Sequence, residues 1–236
     1  KPVDFVCLNS HFFLYLRTTH TRSSDPKLEL KSFWEDQNVA IIFFRRWGCM
    51  LCRLWAKELG EIAPVLKKHN IKMIGIGVEE AGSKDFINGK YFDGDLYYVD
   101  NISTYQALGF KRFNVVTIIT SLFWKQSRDA IFKGRGMGLE SDLIGDGLQN
   151  GGALFVKTGG KLMHHYVQMG PADRYPNMDI LKVYFLLFLY YYRPGWRFQG
   201  GLGANRWCLY KLNLIKNTFP WLAASLESLD RFDLTF

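Results

Sequence analysis

Cys49 and Cys52 stand three residues apart in RRWGCMLCRLW, residues 45–55. Two thiols at this spacing can cycle between dithiol and disulfide, carrying two electrons. They can also supply half of a zinc site, or be two neighbours without chemistry. A redox role asks for a thiolate, and a thiolate asks for positive charge. Arg45, Arg46 and Arg53 surround the pair in sequence, although spacing does not say which of them faces a sulfur.

The elements needed to position these thiols are legible nearby. Val39–Phe44 (VAIIFF) is a continuous apolar run, the pattern of a strand buried on both faces. From Leu51 the apolar positions Leu54, Trp55, Leu59, Ile62, Ala63 and Leu66 follow helical spacing, with Pro64 predicting a kink or an end one turn early. Cys49 and Cys52 therefore open a helix directly after a strand. There the partial positive charge of the helix terminus favours a thiolate on the first cysteine. Cys49 is expected to be the more exposed nucleophile and Cys52 the buried resolving partner. Ile71–Val78 reads as the next strand, parallel to the first because a helix crosses between them.

Further along, a short helix is expected over 83–88, a strand over 96–99 and a helix over 103–108 closed by Gly109. A helix near 122–132 runs into the glycine-rich Gly134–Gly138, expected to be a flexible connection. Strands over 153–157 and 162–167 flank Thr158-Gly159-Gly160-Lys161, a hairpin signal. A last helix is expected from about Asn177 to Phe188. Residues 1–27 lack a clear period, and residues 183–236 are rich in aromatics with little order, so boundaries fall at 27/28 and 182/183. Both ends are expected to pack poorly on the central domain.

Other chemistry is weaker. Zinc would need two further ligands; His164 and His165 are adjacent on a strand and face opposite ways, while Cys7 and Cys208 lie in the atypical ends. Gly134–Gly138 lacks the spacing of a phosphate-binding loop. Glu79 and Glu80, at a strand end, read as solvated carboxylates. The net charge of +8 invites a nucleic-acid reading. Its basic and acidic side chains number 4 and 2 in residues 1–27, 20 and 17 in 28–182, and 6 and 3 in 183–236. So thin a spread makes no basic stripe, and no nucleic-acid partner is expected. Four cysteines are too few for a disulfide scaffold, which points to a reducing compartment. No signal-peptide pattern is present, and the longest apolar run, Val183–Tyr192, is half the length of a membrane span. The chain opens on Lys1, so a fragment or incomplete reading of a longer product is expected.

The stretches ELKSFW (29–34), RRWGCMLCRLWAKEL (45–59), KYFDGDLYYVD (90–100), YQALGFKRFN (105–114), GDGLQNGGALFVKTGGK (145–161) and HHYVQMGPADRYP (164–176) together resemble the peroxiredoxin-like 2 family. This resemblance, over about two thirds of the chain, implies an α/β thioredoxin-like fold with a central mixed sheet flanked by helices. It implies a cytosolic enzyme that reduces the endoperoxide of prostaglandin H2, and of its ethanolamide prostamide H2, to F2α products. The family's C-x-x-C falls on Cys49 and Cys52, making both catalytic. Thioredoxin would return the electrons from NADPH, with no cofactor bound to the chain itself. A general thiol peroxidase of the same family and a non-catalytic thioredoxin-fold module are the alternatives. Two departures stand out. Residues 1–27 do not resemble the family's first strands, and nothing in the family corresponds to the tail. Where thioredoxins place a cis-proline opposite the pair, this chain has Asn150-Gly151-Gly152, which argues against a general exchanger that grips extended peptides. Phe44, Trp47, Met50 and Phe110 are candidates either for an apolar substrate groove or for core.

Overall fold

A computed structural model describes residues 15–18, 28–99 and 101–191. Cys7, Cys208, most of 1–27 and the aromatic-rich stretch from 192 onward lie outside the described residues. The strands are β1 (Tyr15–Thr18), β2 (Leu28–Glu29), β3 (Asn38–Phe43), β4 (Ile71–Gly77), β5 (Asp95–Val99), β6 (Gly152–Lys157) and β7 (Lys161–Val167). The helices are α1 (Met50–Gly60), α2 (Ala63–Lys68), α3 (Ser83–Asn88), α4 (Ser103–Ala107), α5 (Val115–Leu122), α6 (Lys125–Gly136) and α7 (Asn177–Tyr191).

Among the described residues the strands form one mixed sheet of order β2-β1-β5-β4-β3-β6-β7. The expected crossover holds: β3 and β4 are parallel, Ala40 opposite Met73 and Ile42 opposite Gly75, and β5 continues parallel to β4. β6 runs antiparallel to β3, and β7 antiparallel to β6 through the expected hairpin. Glycines at 159 and 160 adopt positive φ in its turn. A central β3 leading to the cysteines, inside the core order β5-β4-β3-β6-β7 with helices on both faces, is the thioredoxin-like arrangement. Residues 15–18 carried no expectation of structure, yet β1 pairs antiparallel with β5, Leu16 opposite Val99. It covers the edge that β5 would otherwise leave open.

β3 shows why a continuous apolar run suits this place. Ala40, Ile42 and Phe44 enter one core with Leu54, Trp55 and Leu59 of α1. Val39, Ile41 and Phe43 enter a second core on the other face, with Leu30, Phe33, Tyr105 and Phe110. Each large apolar side chain so buried stabilises the fold by about 1.5–3 kcal/mol. Tyr105 ties the two parallel strands from beneath: its hydroxyl donates to the Phe44 carbonyl at 2.9 Å and to the Ile76 carbonyl at 3.0 Å. Pro64 acts as anticipated, ending α1 at Gly60 and standing in the first turn of α2, where a missing N–H costs nothing.

The stretch 115–136 differs from expectation. Two helices occupy it, and α6 continues through Arg135 to Gly136 instead of ending before the glycines. α5 begins at Asn114, whose side chain accepts from the Thr117 N–H at 2.6 Å. No helix of the described residues is long and apolar enough to cross a membrane.

Candidate active site

β3 delivers the chain into a tight turn, and Cys49 becomes the residue before α1, with an extended backbone at φ −79° and ψ 121°. Its carbonyl accepts the first helical hydrogen bond, from the Arg53 N–H at 3.0 Å. Cys52 sits one turn on, on the same face, and both thiols are free.

The structure separates the three arginines that spacing could not. Arg45 turns back on the pair: its Nη2 donates to Cys49 Sγ at 2.9 Å, and its Nη1 donates to the Gly147 carbonyl. Arg46 donates to the Asp142 carbonyl at 2.7 Å. Arg53 donates to the Trp47 carbonyl at 3.2 Å, to the Glu140 carbonyl at 2.9 Å and to Asp142 Oδ2 at 2.9 Å. Only Arg45 therefore neutralises a sulfur. The Cys52 thiol, donating to Cys49, and the Arg45 guanidinium together hold the Cys49 thiol well below its ordinary value. Cys52 is pushed well above it by that same hydrogen bond and by burial. One negative charge is thus carried by two sulfurs, and it rests on Cys49.

One expectation fails here. Cys49 is 5% exposed and Cys52 3%, so neither is an open nucleophile. The segment Leu139–Leu148 lies against the turn on both sides of Cys49, at Gly48 and at Met50. The Asp142 N–H donates to the Gly48 carbonyl at 2.9 Å, and the Ser141 hydroxyl donates to that carbonyl at 3.3 Å. A Cβ on Gly48 would stand 1.7 Å from Asp142 Oδ1, so only glycine permits this approach.

Other candidates resolve individually. Phe44, Trp47 and Phe110 are core, at 0%, 1% and 2% exposure, and Met50 alone of the proposed groove residues is half-buried. Met50 presses on Gly134, where a Cβ would stand 3.0 Å from Met50 Cγ. The glycine-rich stretch, expected to be a flexible connection, is instead the close contact by which α6 backs the cysteine turn. Glu80 is exposed as expected, but Glu79 is not a free carboxylate: it is half-buried and accepts from the Asp146 N–H. His164 stacks on Tyr175 at 4.8 Å while His165 meets Phe110 at 5.7 Å, on opposite faces of the sheet. No three His, Cys, Asp or Glu side chains gather among the described residues as metal ligands would. At Asn150-Gly151 the peptide groups are already engaged: Gly151 N–H donates to Gln168 Oε1 at 3.0 Å, and its carbonyl accepts from Gln168 N–H at 3.0 Å. A groove of about 380 Å³, lined by Lys67, Lys72, Met73, Asp93 and Asp95 among others, lies at the opposite pole, by the first residues of β4.

A family model described as AhpC/TSA antioxidant enzyme matches residues 58–169. The prostamide/prostaglandin F synthase of Xenopus laevis is 40% identical over 160 residues, spanning 67% of this chain and 80% of that protein. Those of Salmo salar and Homo sapiens are 40% and 38% identical over 160 and 157 residues. The chain belongs to the prostamide/prostaglandin F synthase family. Membership in that family makes it a thiol-dependent oxidoreductase. The site residue that spacing does not single out is Arg45, whose only signal in the sequence is that it is one of three arginines near the pair. The Leu139–Leu148 segment carries no local signal, because its partners across the cysteine turn lie 87 to 96 positions away in sequence.

Proposed function

We propose that this protein reduces lipid endoperoxides, converting prostaglandin H2 and prostamide H2 to their F2α products with Cys49 as the attacking group and Cys52 as the resolving one. The observation that carries this reading is the Arg45 guanidinium 2.9 Å from Cys49 Sγ, beside a Cys52 thiol that keeps its proton. An endoperoxide O–O bond is weak. The Cys49 thiolate attacks one oxygen, the O–O bond breaks, and the second oxygen leaves as an alkoxide that takes a proton. Cys52, giving up its proton, attacks the Cys49 sulfur, the S–O bond breaks, and the first oxygen leaves as a second hydroxyl. Two thiols have become one disulfide, and the substrate has gained two electrons and two protons. Arg45 stabilises the anion before attack and releases it as the S–O bond forms.

Thioredoxin, drawing on NADPH through its reductase, is the proposed reductant of the Cys49–Cys52 disulfide, and the cytosol the proposed compartment. The names of the relatives support the substrate. The AhpC/TSA match supports a second reading, a thiol peroxidase acting on lipid hydroperoxides or hydrogen peroxide. With thioredoxin, its reductase and NADPH, the protein should consume NADPH on prostaglandin H2 and form the F2α product, and Cys49→Ser should abolish both. Faster turnover of hydroperoxides than of the endoperoxide would favour the second reading. Unchanged turnover in Cys49→Ser would sink both.

A further inference from the structure

A thiolate that must meet a lipid peroxide is buried, and what lies over its turn is held at Glu140, Ser141 and, with the most contacts, Asp142. Asp142 makes five contacts there. Its N–H donates to Gly48 O at 2.9 Å, and its carbonyl accepts from Arg46 at 2.7 Å. Its Oδ2 accepts from Arg53 at 2.9 Å, its Oδ1 accepts from the Ile144 N–H at 2.9 Å, and the same Oδ1 fills the space left by the absent Gly48 side chain. The next anchors are separate. Asp146 donates its N–H to Glu79 and pairs with Arg112, and Gly147 O takes the second Arg45 nitrogen. Between these two fixed points stand Leu143 and Ile144, 90% and 48% exposed, apolar side chains that touch little of the core.

We propose that Asp142 is a positioning residue that latches residues 140–145 over the redox pair, and that its release opens the path by which peroxide reaches Cys49. The latch is polar and local, so it can let go without disturbing either core. Opening leaves Arg45 on Cys49, because Asp146 and Gly147 keep their own anchors to Glu79, Arg112 and Arg45, while the hydrogen bonds of Asp142 go to Gly48, Arg46, Arg53 and Ile144. Access to the thiolate and the charge on it are thereby controlled by different residues. The segment's apolar tip is carried aside with it and faces an incoming hydrocarbon chain. This inference rests on Cys49 being the attacking thiolate and not on the identity of the peroxide.

The test uses the full reduced chain and iodoacetamide, with alkylation of the Cys49 peptide followed by mass spectrometry across a range of pH. Asp142→Ala should raise the plateau rate by about tenfold or more, the equivalent of ~1.4 kcal/mol of latch, while the midpoint pH of the profile stays where it is. Gly48→Ala attacks the latch from the other side, since its Cβ displaces the Asp142 carboxylate, and should act in the same direction. Equal plateau rates in all three proteins overturn the proposal. So does a moved midpoint at an unmoved plateau, which would make Asp142 a contributor to charge and not to access. A third measurement needs no substitution: the slowing of Cys49 alkylation relative to a free thiolate should match the hydrogen-exchange protection of the Asp142 amide, which bonds across to Gly48. A mismatch beyond about tenfold overturns the proposal equally, because one opening must govern both. Endoperoxide turnover is not read in any of these, so failure here leaves the reductase reading intact, and the reverse.

Discussion

Replacing Arg45 by glutamine keeps a donor beside Cys49 and removes the charge. The guanidinium lies 2.9 Å from the sulfur and is 6% exposed, so little water screens the interaction. A hydrogen bond to a charged group in such a setting contributes ~1.5–3 kcal/mol, against ~0.5–1.5 for a neutral one. Losing the difference, about 1–1.5 kcal/mol, disfavours the thiolate relative to the thiol by roughly five- to tenfold. The assay is the rate of Cys49 alkylation against pH. In Arg45→Gln the acid limb should move to higher pH, so that a rate taken on that limb falls about five- to tenfold. The plateau at high pH should be equal or slightly raised, because a more basic thiolate is the better nucleophile. Arg45→Lys, which restores the charge, should recover part of the loss. An acid limb that does not move in Arg45→Gln would refute the reasoning and leave Cys52 and the helix terminus as the whole source of the low Cys49 pKa.

Three further outcomes follow from the same geometry. Cys52→Ser retains a donor to Cys49 and should keep the alkylation profile nearly in place, whereas Cys52→Ala should shift it to higher pH. Disulfide formation removes the anion that Arg45 faces, and the oxidised protein should unfold at lower denaturant than the reduced one, by as much as ~3 kcal/mol. A cross-link closing a loop of four residues returns about 2 kcal/mol of this, leaving a net loss of about 1 kcal/mol. Since the Cys49 pKa is depressed on folding, its contribution to the reduced form is complete above the unfolded thiol value of about 8.5 and is lost as pH falls through the folded value. The gap between the two forms should therefore narrow on acidification, as urea titrations at several pH values would show. Tyr105→Phe strips the Phe44 carbonyl of the hydroxyl that donates to it inside the fold, and should cost about 1–3 kcal/mol in the same titration.

What could be read in advance was set by local pattern. Val39–Phe44 is apolar throughout because both of its faces are buried, and the helix after Cys49 carries its core positions on one side. α5 defeats that logic, since VVTIITSL is β-branched and its Val115, Val116 and Ile119 are more than half exposed. Its start was marked only by Asn114 and Thr117. The cysteine pair was legible from spacing alone. Which arginine serves it was not, because Arg45 and Arg46 are neighbours and the turn between β3 and α1 decides which one faces inward. The Leu139–Leu148 segment looks like an ordinary loop, and its hold on the site depends on Gly48, Arg46 and Arg53, all remote in sequence.

The central claim is that two sulfurs of this chain take up the two oxidising equivalents of one endoperoxide. It is tested most directly by a single turnover: pre-reduced protein, in excess over prostaglandin H2, without thioredoxin. The expected result is one Cys49–Cys52 disulfide, seen by mass spectrometry, for each F2α molecule formed. Product formed while both thiols remain reduced, or a disulfide formed without product, would contradict the account.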